Sequence, residues 1–144
     1  MEEETNNMTA LTQTDALKYI LAGNSTFTVK NTESRNRFTF KVRKPKEKDA
    51  TVHFVSVMSG TDSYQYLGTI FNSKDYYHGK KSKIAASAQS EKVFQYIFSK
   101  LITQRLSSLI AIFHSGTCGR CGRKLTVPES IISGIGPECA KRVD

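Results

Sequence analysis

Between Arg37 and Arg43 the chain alternates strictly. Phe38, Phe40 and Val42 fall on one parity, and Arg37, Thr39, Lys41 and Arg43 on the other. A β-strand sends successive side chains to opposite faces, so this segment is a strand with one apolar and one basic face. Phe27 and Val29 alternate in the same way with Thr26, Thr28 and Lys30, and the polar stretch Asn31–Asn36 between the two runs reads as their turn. A sheet built from such strands needs a second layer over its apolar side.

The rest of the chain supplies the other strands and that layer. After the charged, proline-broken loop from Lys44 to Asp49, Val52–Met58 is mostly apolar and reads as a central strand covered on both faces. Ser59–Ser63 is a turn. Tyr64, Tyr66 and Ile70 then alternate with Gln65, Leu67 and Thr69, a fourth strand. Short connections make the four strands an antiparallel meander. A short helix is expected at 14–22, with capping candidates from Thr12 to Asp15 and Leu17, Ile20 and Leu21 at helical spacing before Gly23-Asn24. Residues 72–89 are polar and lysine-bearing and read as a long loop. Ser90 is placed to cap a long helix with the apolar stripe Val93, Phe94, Ile97, Phe98, Leu101 and Ile102. Leu106, Leu109 and Ile110 extend that stripe, and the helix is expected to end before Phe113. Each large side chain buried under this helix contributes about 1.5–3 kcal/mol.

All three cysteines lie between positions 118 and 139, and five of the nine glycines lie between Gly116 and Gly136. In a reducing compartment such clustering points to a metal before a disulfide. Cys118 and Cys121 form a Cys-x2-Cys pair, a spacing that turns two thiolates toward one ion, with Gly122 free to take the left-handed backbone of a knuckle. Thr126 to Glu129 has capping-box spacing ahead of Ile131 and Ile132, and Pro137 suits the first turn of a short helix bearing Cys139. A structural zinc takes four ligands. The set expected here is His114, Cys118, Cys121 and Cys139, with water or Glu138 as the other ways to complete it. The bland alternative is three unbound thiols, but a short glycine-rich tail has little core of its own and needs a staple. His53 and His78 read as ordinary structural or surface residues. No His-Glu-x-x-His, Walker loop or nucleophile elbow is present, so no enzyme is expected.

The string Cys118-Gly-Arg-Cys121-Gly-Arg-Lys-Leu125, with Pro128-Glu-Ser130 and Gly134-Ile-Gly-Pro-Glu-Cys139, resembles a small cysteine-rich domain of unknown function found at the C-termini of phage, prophage and actinobacterial proteins. The resemblance covers residues 114–142. Upstream, Phe38-Thr-Phe40 and Phe54–Asp62 resemble phage-encoded proteins with the same tail. The resemblance implies a zinc-binding protein of phage or mobile-element origin and implies no reaction.

The net charge is +8, which favours anionic partners. Eight cations fall between Lys30 and Lys48 against Glu33 and Glu47 alone, and Arg37, Lys41 and Arg43 share one strand face. A face spaced in this way can follow a phosphate backbone, with Tyr64, Tyr66, Tyr76 and Tyr77 as stacking candidates. The binding set read from the sequence is Arg35, Arg37, Lys41, Arg43, Lys44 and Lys46, with Lys80 and Lys81 in the long loop and Arg120, Arg123 and Lys124 on the knuckle. The plain alternative is a solvated face whose charges prevent edge aggregation. The expectation is thus an α+β protein: a flexible N-terminus over 1–11, a helix–sheet–helix domain over 12–113, and a treble-clef-like zinc module over 114–144. It is expected to be cytoplasmic, with no secretory leader, no membrane partner and possible homodimerisation through a sheet edge. Its expected role is non-enzymatic: one structural Zn2+ and contact with nucleic acid through the basic face. The alternative is a phage-encoded inhibitor of a host defence or replication protein.

Overall fold

The computed structural model describes residues 10–47, 50–61, 63–121 and 133–135. Among the described residues the fold is α+β: two helices and a six-stranded antiparallel sheet. Helix α1 spans Gln13–Ile20. Its N-cap is Thr12, whose Oγ1 accepts the Asp15 amide at 3.1 Å, and Asp15 and Lys18 sit at the ends that the helix dipole favours.

The strands are β1 (Asn24–Asn31), β2 (Arg37–Arg43), β3 (Val52–Gly60), β4 (Ser63–Phe71), β5 (Asp75–His78) and β6 (Ile110–His114). Their order across the sheet is β5-β4-β3-β2-β1-β6. The four expected strands are its centre. The two edge strands correct the sequence reading. Strand β5 lies in the segment read as a long loop. It is reached through Asn72 and Ser73, both at positive φ (54° and 61°), with the Lys74 amide donating to the Phe71 carbonyl at 3.1 Å. That is the mirror-image turn whose twist matches a hairpin. Strand β6 takes the residues read as a helix extension. Helix α2 (Gln89–Thr103) stops where Gln104 adopts a left-handed conformation, and Ile110 and Ile112 then pair with Asn31 and Val29 of β1. Ser90 is not the cap of α2: the N-cap is Ala88, and no side chain bonds there.

Both helices pack on one face of the sheet, here the inner face. Phe27, Phe40, Val42, Val55, Val57, Leu67, Ile70 and Ile112 meet Ala16, Tyr19, Ile20, Phe94, Ile97, Phe98 and Leu101. Phe94 is central: its ring centroid lies 5.3 Å from that of Phe40, 5.8 Å from Phe98 and 4.7 Å from Tyr76. A register shift between Val55 and Ser56 leaves Leu67 as an extra residue of β4, because Val55 pairs with Gly68 and Ser56 with Tyr66. This bulge changes the parity of the strand. Tyr64 and Tyr66 therefore face opposite to Ile70, which the simple alternation had placed with them.

Candidate nucleic-acid interface and cysteine knuckle

The outer face of the sheet carries the basic residues of β2. Arg37 pairs with Lys30, Lys41 with Thr26 and Ser56, and Arg43 with Asn24 and Phe54. Arg37 and Arg43 are exposed, and Lys41 is half-buried with its Nζ 4.5 Å from the Tyr64 ring centre. That approach is a cation–π contact. The expected sharing of one face by these three cations is what the register produces.

The same face continues into an aromatic field. Rows cross the strands as Arg43–Phe54–Thr69–Tyr77 and Lys41–Ser56–Tyr66, with Met58 opposite Tyr64 and Phe71 opposite Asp75. Phe54, Phe71 and Tyr77 are 44%, 40% and 63% exposed. Ring centroids lie 6.4 Å apart for Phe54–Tyr66 and 5.9 Å for Phe71–Tyr77, and the Tyr66 hydroxyl is tied to Thr69 Oγ1. Strand β3 was expected to be covered on both faces; its outer side instead exposes Phe54 and Met58. An apolar run has the same composition whether one layer covers it or two. Of the four tyrosines named from the sequence, Tyr64, Tyr66 and Tyr77 lie on this face. Tyr76 points inward, and its hydroxyl donates to Glu91 Oε1 at 2.7 Å.

The remaining cations surround the sheet at different places. Arg35 sits at positive φ (68°) in the β1–β2 turn, where Asn31 Oδ1 accepts the Glu33 and Ser34 amides at 2.9 and 3.0 Å. Lys44 and Lys46 follow β2. Lys80 and Lys81 follow β5, and Lys81 and Lys83 line a cavity of about 290 Å³ with Gln65 and Tyr66. Arg120 is exposed at the Arg43 end of the sheet, because the Gly119 carbonyl accepts the Asn24 amide at 2.7 Å and Asn24 pairs with Arg43. Arg123 and Lys124 lie outside the described residues.

Cys118 begins a tight turn. Its Sγ accepts the backbone amides of Arg120 and Cys121 at 3.3 and 3.5 Å. Two N–H groups aimed at one sulfur favour the thiolate, the form that ligates metal. Cys118 is buried and Cys121 exposed. His114 closes β6 and is buried, and its Nδ1 accepts the Gly116 amide at 2.9 Å. Beneath the turn lies Tyr19, fully buried. Its hydroxyl donates to the Thr26 carbonyl at 2.8 Å, its ring is 5.7 Å from His114, and burial pushes its pKa up. Gly119 and Gly134 rest on that ring, and the Gly119 amide donates to the Gly134 carbonyl at 2.8 Å. Among the described residues no three His, Cys, Asp or Glu side chains form a metal-sized group. Cys139, Glu138, Gly122, Pro137 and the short helix expected near Ile131 and Ile132 lie outside them.

Two buried polar groups escaped the sequence reading. Glu91 is fully buried in the first turn of α2 and accepts from Tyr76 and from Gln95 Nε2, the latter at 2.7 Å. His53 is 2% exposed on the inner face, with Nε2 bonded to the Leu21 carbonyl at 3.1 Å and Nδ1 without a partner. Burial, and then the charge of Lys44, pushes its pKa down. An isolated His or Glu carries no local sign of such a place; only the packed layers create it.

Residues 112–144 match the model of a family of unknown function (DUF6011). No curated protein and no solved structure matches the chain. No described helix is long and apolar enough to cross a membrane.

Proposed function

We propose that this protein is a non-enzymatic binding protein that contacts nucleic acid through the outer face of its sheet, with a C-terminal segment held by one structural zinc ion. The observation that carries the binding reading is the common orientation of Arg37, Lys41 and Arg43 on the face away from both helices. Cations on a rigid strand repeat at the two-residue spacing of its pleat, and each that neutralises a phosphate releases counterions. Neutral Gln at these three positions is expected to weaken binding at low salt. It should also flatten the dependence of log K on log salt by about 0.7 per lost phosphate contact on a single strand. No binding of DNA or RNA by the unaltered protein at low salt would overturn this reading. An acidic protein surface, such as a host enzyme targeted by a phage inhibitor, would then be the occupant to test.

The zinc reading rests on the donor chemistry of the knuckle. The amides on Cys118 Sγ suit a thiolate, Cys121 follows at knuckle spacing, and Cys139 supplies a third sulfur. A bound zinc would crosslink a segment that has little apolar mass of its own. His114 as fourth ligand carries a condition. A neutral imidazole that ligates through Nδ1 gives up the Gly116 bond, and one that ligates through Nε2 carries its proton on Nδ1, where the Gly116 amide now donates. Ligation by His114 is therefore expected to shift the Gly116 amide resonance on zinc addition. An unmoved resonance beside stoichiometric zinc would give the fourth place to Glu138 or water.

A further inference from the structure

The geometry points to single-stranded nucleic acid, with unstacked bases seated on Phe54, Phe71 and Tyr77, as the ligand of the outer sheet face. This rests on the basic-face reading above and names its substrate class. Charge alone would serve a duplex equally well, since phosphate contacts carry no information about strandedness. The aromatic field adds that information. Three rings at least two-fifths exposed stand together on strands β3, β4 and β5, on the same face as the cations of β2, with Phe54 directly beside Arg43. Exposing such rings leaves apolar surface in water, and a cluster of them on one rigid face marks a contact surface. The rings are held in place from within the sheet. Phe54 packs on Tyr66, Tyr66 is tied to Thr69, Phe71 packs on Tyr77, and Lys41 sits over Tyr64.

Two halves of one ligand match the two halves of the face. The Arg43–Phe54–Thr69–Tyr77 row runs from a cation to aromatic rings across neighbouring strands. Strands lie about 4.8 Å apart. Tyr77 on β5 is three strands, about 14 Å, from the cations of β2, so a strand that starts at those cations and crosses the sheet seats successive bases over β3, β4 and β5. A duplex keeps its bases stacked inside and offers nothing to these rings, whereas a single strand presents a π-face at every base. The charge complements a polyanion and the rings complement bases; an acidic protein would use only the first.

The test is binding of the full chain to fluorescein-labelled single-stranded DNA, single-stranded RNA and duplex DNA of one sequence, at low salt. Phe54→Ala, Phe71→Ala and Tyr77→Ala are expected to lower single-strand affinity by about tenfold each, and to leave duplex affinity and the salt slope unchanged. Tyr96→Ala, which removes a 40% exposed ring from α2, is the control and is expected to change nothing. The chain has no Trp, so quenching of tyrosine emission by a bound strand is a second readout, and it is expected to weaken in Tyr77→Ala. Comparing the DNA and RNA strands shows which sugar the face prefers. Equal affinity for single strand and duplex, untouched by the aromatic variants, would overturn the stacking inference and leave the basic-face reading standing. No binding of any strand would remove both.

Discussion

His53 shows how one side chain ties stability to pH. Its Nε2 proton is committed to the Leu21 carbonyl, its Nδ1 has no partner, and burial with Lys44 nearby disfavours the charged ring. The folded pKa is below the ordinary value of about 6.5. Between the two values the unfolded chain binds a proton that the folded chain refuses, so stability rises with pH there. The contribution of neutral His53 is complete above pH ~6.5 and is lost as pH falls from there toward the folded pKa. Replacing it with Gln, whose amide can still donate to Leu21, is expected to flatten the fall in urea midpoint between pH ~7.5 and ~5.5. A variant with the same slope as the parent would assign acid sensitivity elsewhere. Nothing around His53 in the chain announces this, because the partner carbonyl belongs to Leu21, the C-cap of α1, 32 residues away.

At the scale of elements, the boundaries follow backbone chemistry more closely than apolar spacing. Helix α2 ends because Gln104 takes φ 61°, ψ 40°, although Leu106, Leu109 and Ile110 continue its stripe. A side chain in that conformation costs about 1 kcal/mol relative to glycine. Gln104→Gly is expected to raise stability by about 0.5–1 kcal/mol, read from the urea midpoint, with the helix end unchanged. Asn72 and Ser73 make the same point from the opposite side. Both residues accept positive φ, and that turn converts a polar segment into strand β5. The segment carries four lysines and no long apolar run, so its composition is that of a loop although Asn72 and Ser73 form a hairpin turn. Two boundaries are legible in the chain: Thr12 caps α1, and Asn31 closes the β1–β2 turn.

At the scale of the molecule, Gly119 and Gly134, far apart from Tyr19 in the chain, both pack on its ring. A Cβ on Gly119 would lie 2.6 Å from Tyr19 Cδ1 and 3.0 Å from its carbonyl oxygen, and the ring cannot retreat while its hydroxyl holds Thr26. Gly119→Ala is therefore expected to cost about 1–3 kcal/mol. The loss is checked by urea unfolding at fixed zinc concentration, and an unchanged midpoint would mean that the segment repacks freely around Tyr19. The same anchoring sets Arg120 at the Arg43 end of the sheet.

The chain alone determined what depends on local order. Alternation between Phe27 and Val42 dictated two strands and a basic face, and a stripe of period 3.6 dictated the existence of α2 and its buried side. Each is a property of neighbours within one turn or one pleat. Tertiary structure decided what depends on pairing between distant segments. Strands β5 and β6 exist because β4 and β1 offer open edges, and the bulge at Leu67 reverses parity within β4. Phe54 is exposed because both helices lie on the opposite face. The joining of aromatic and basic residues on one surface is a consequence of register, and register is settled only when the strands meet.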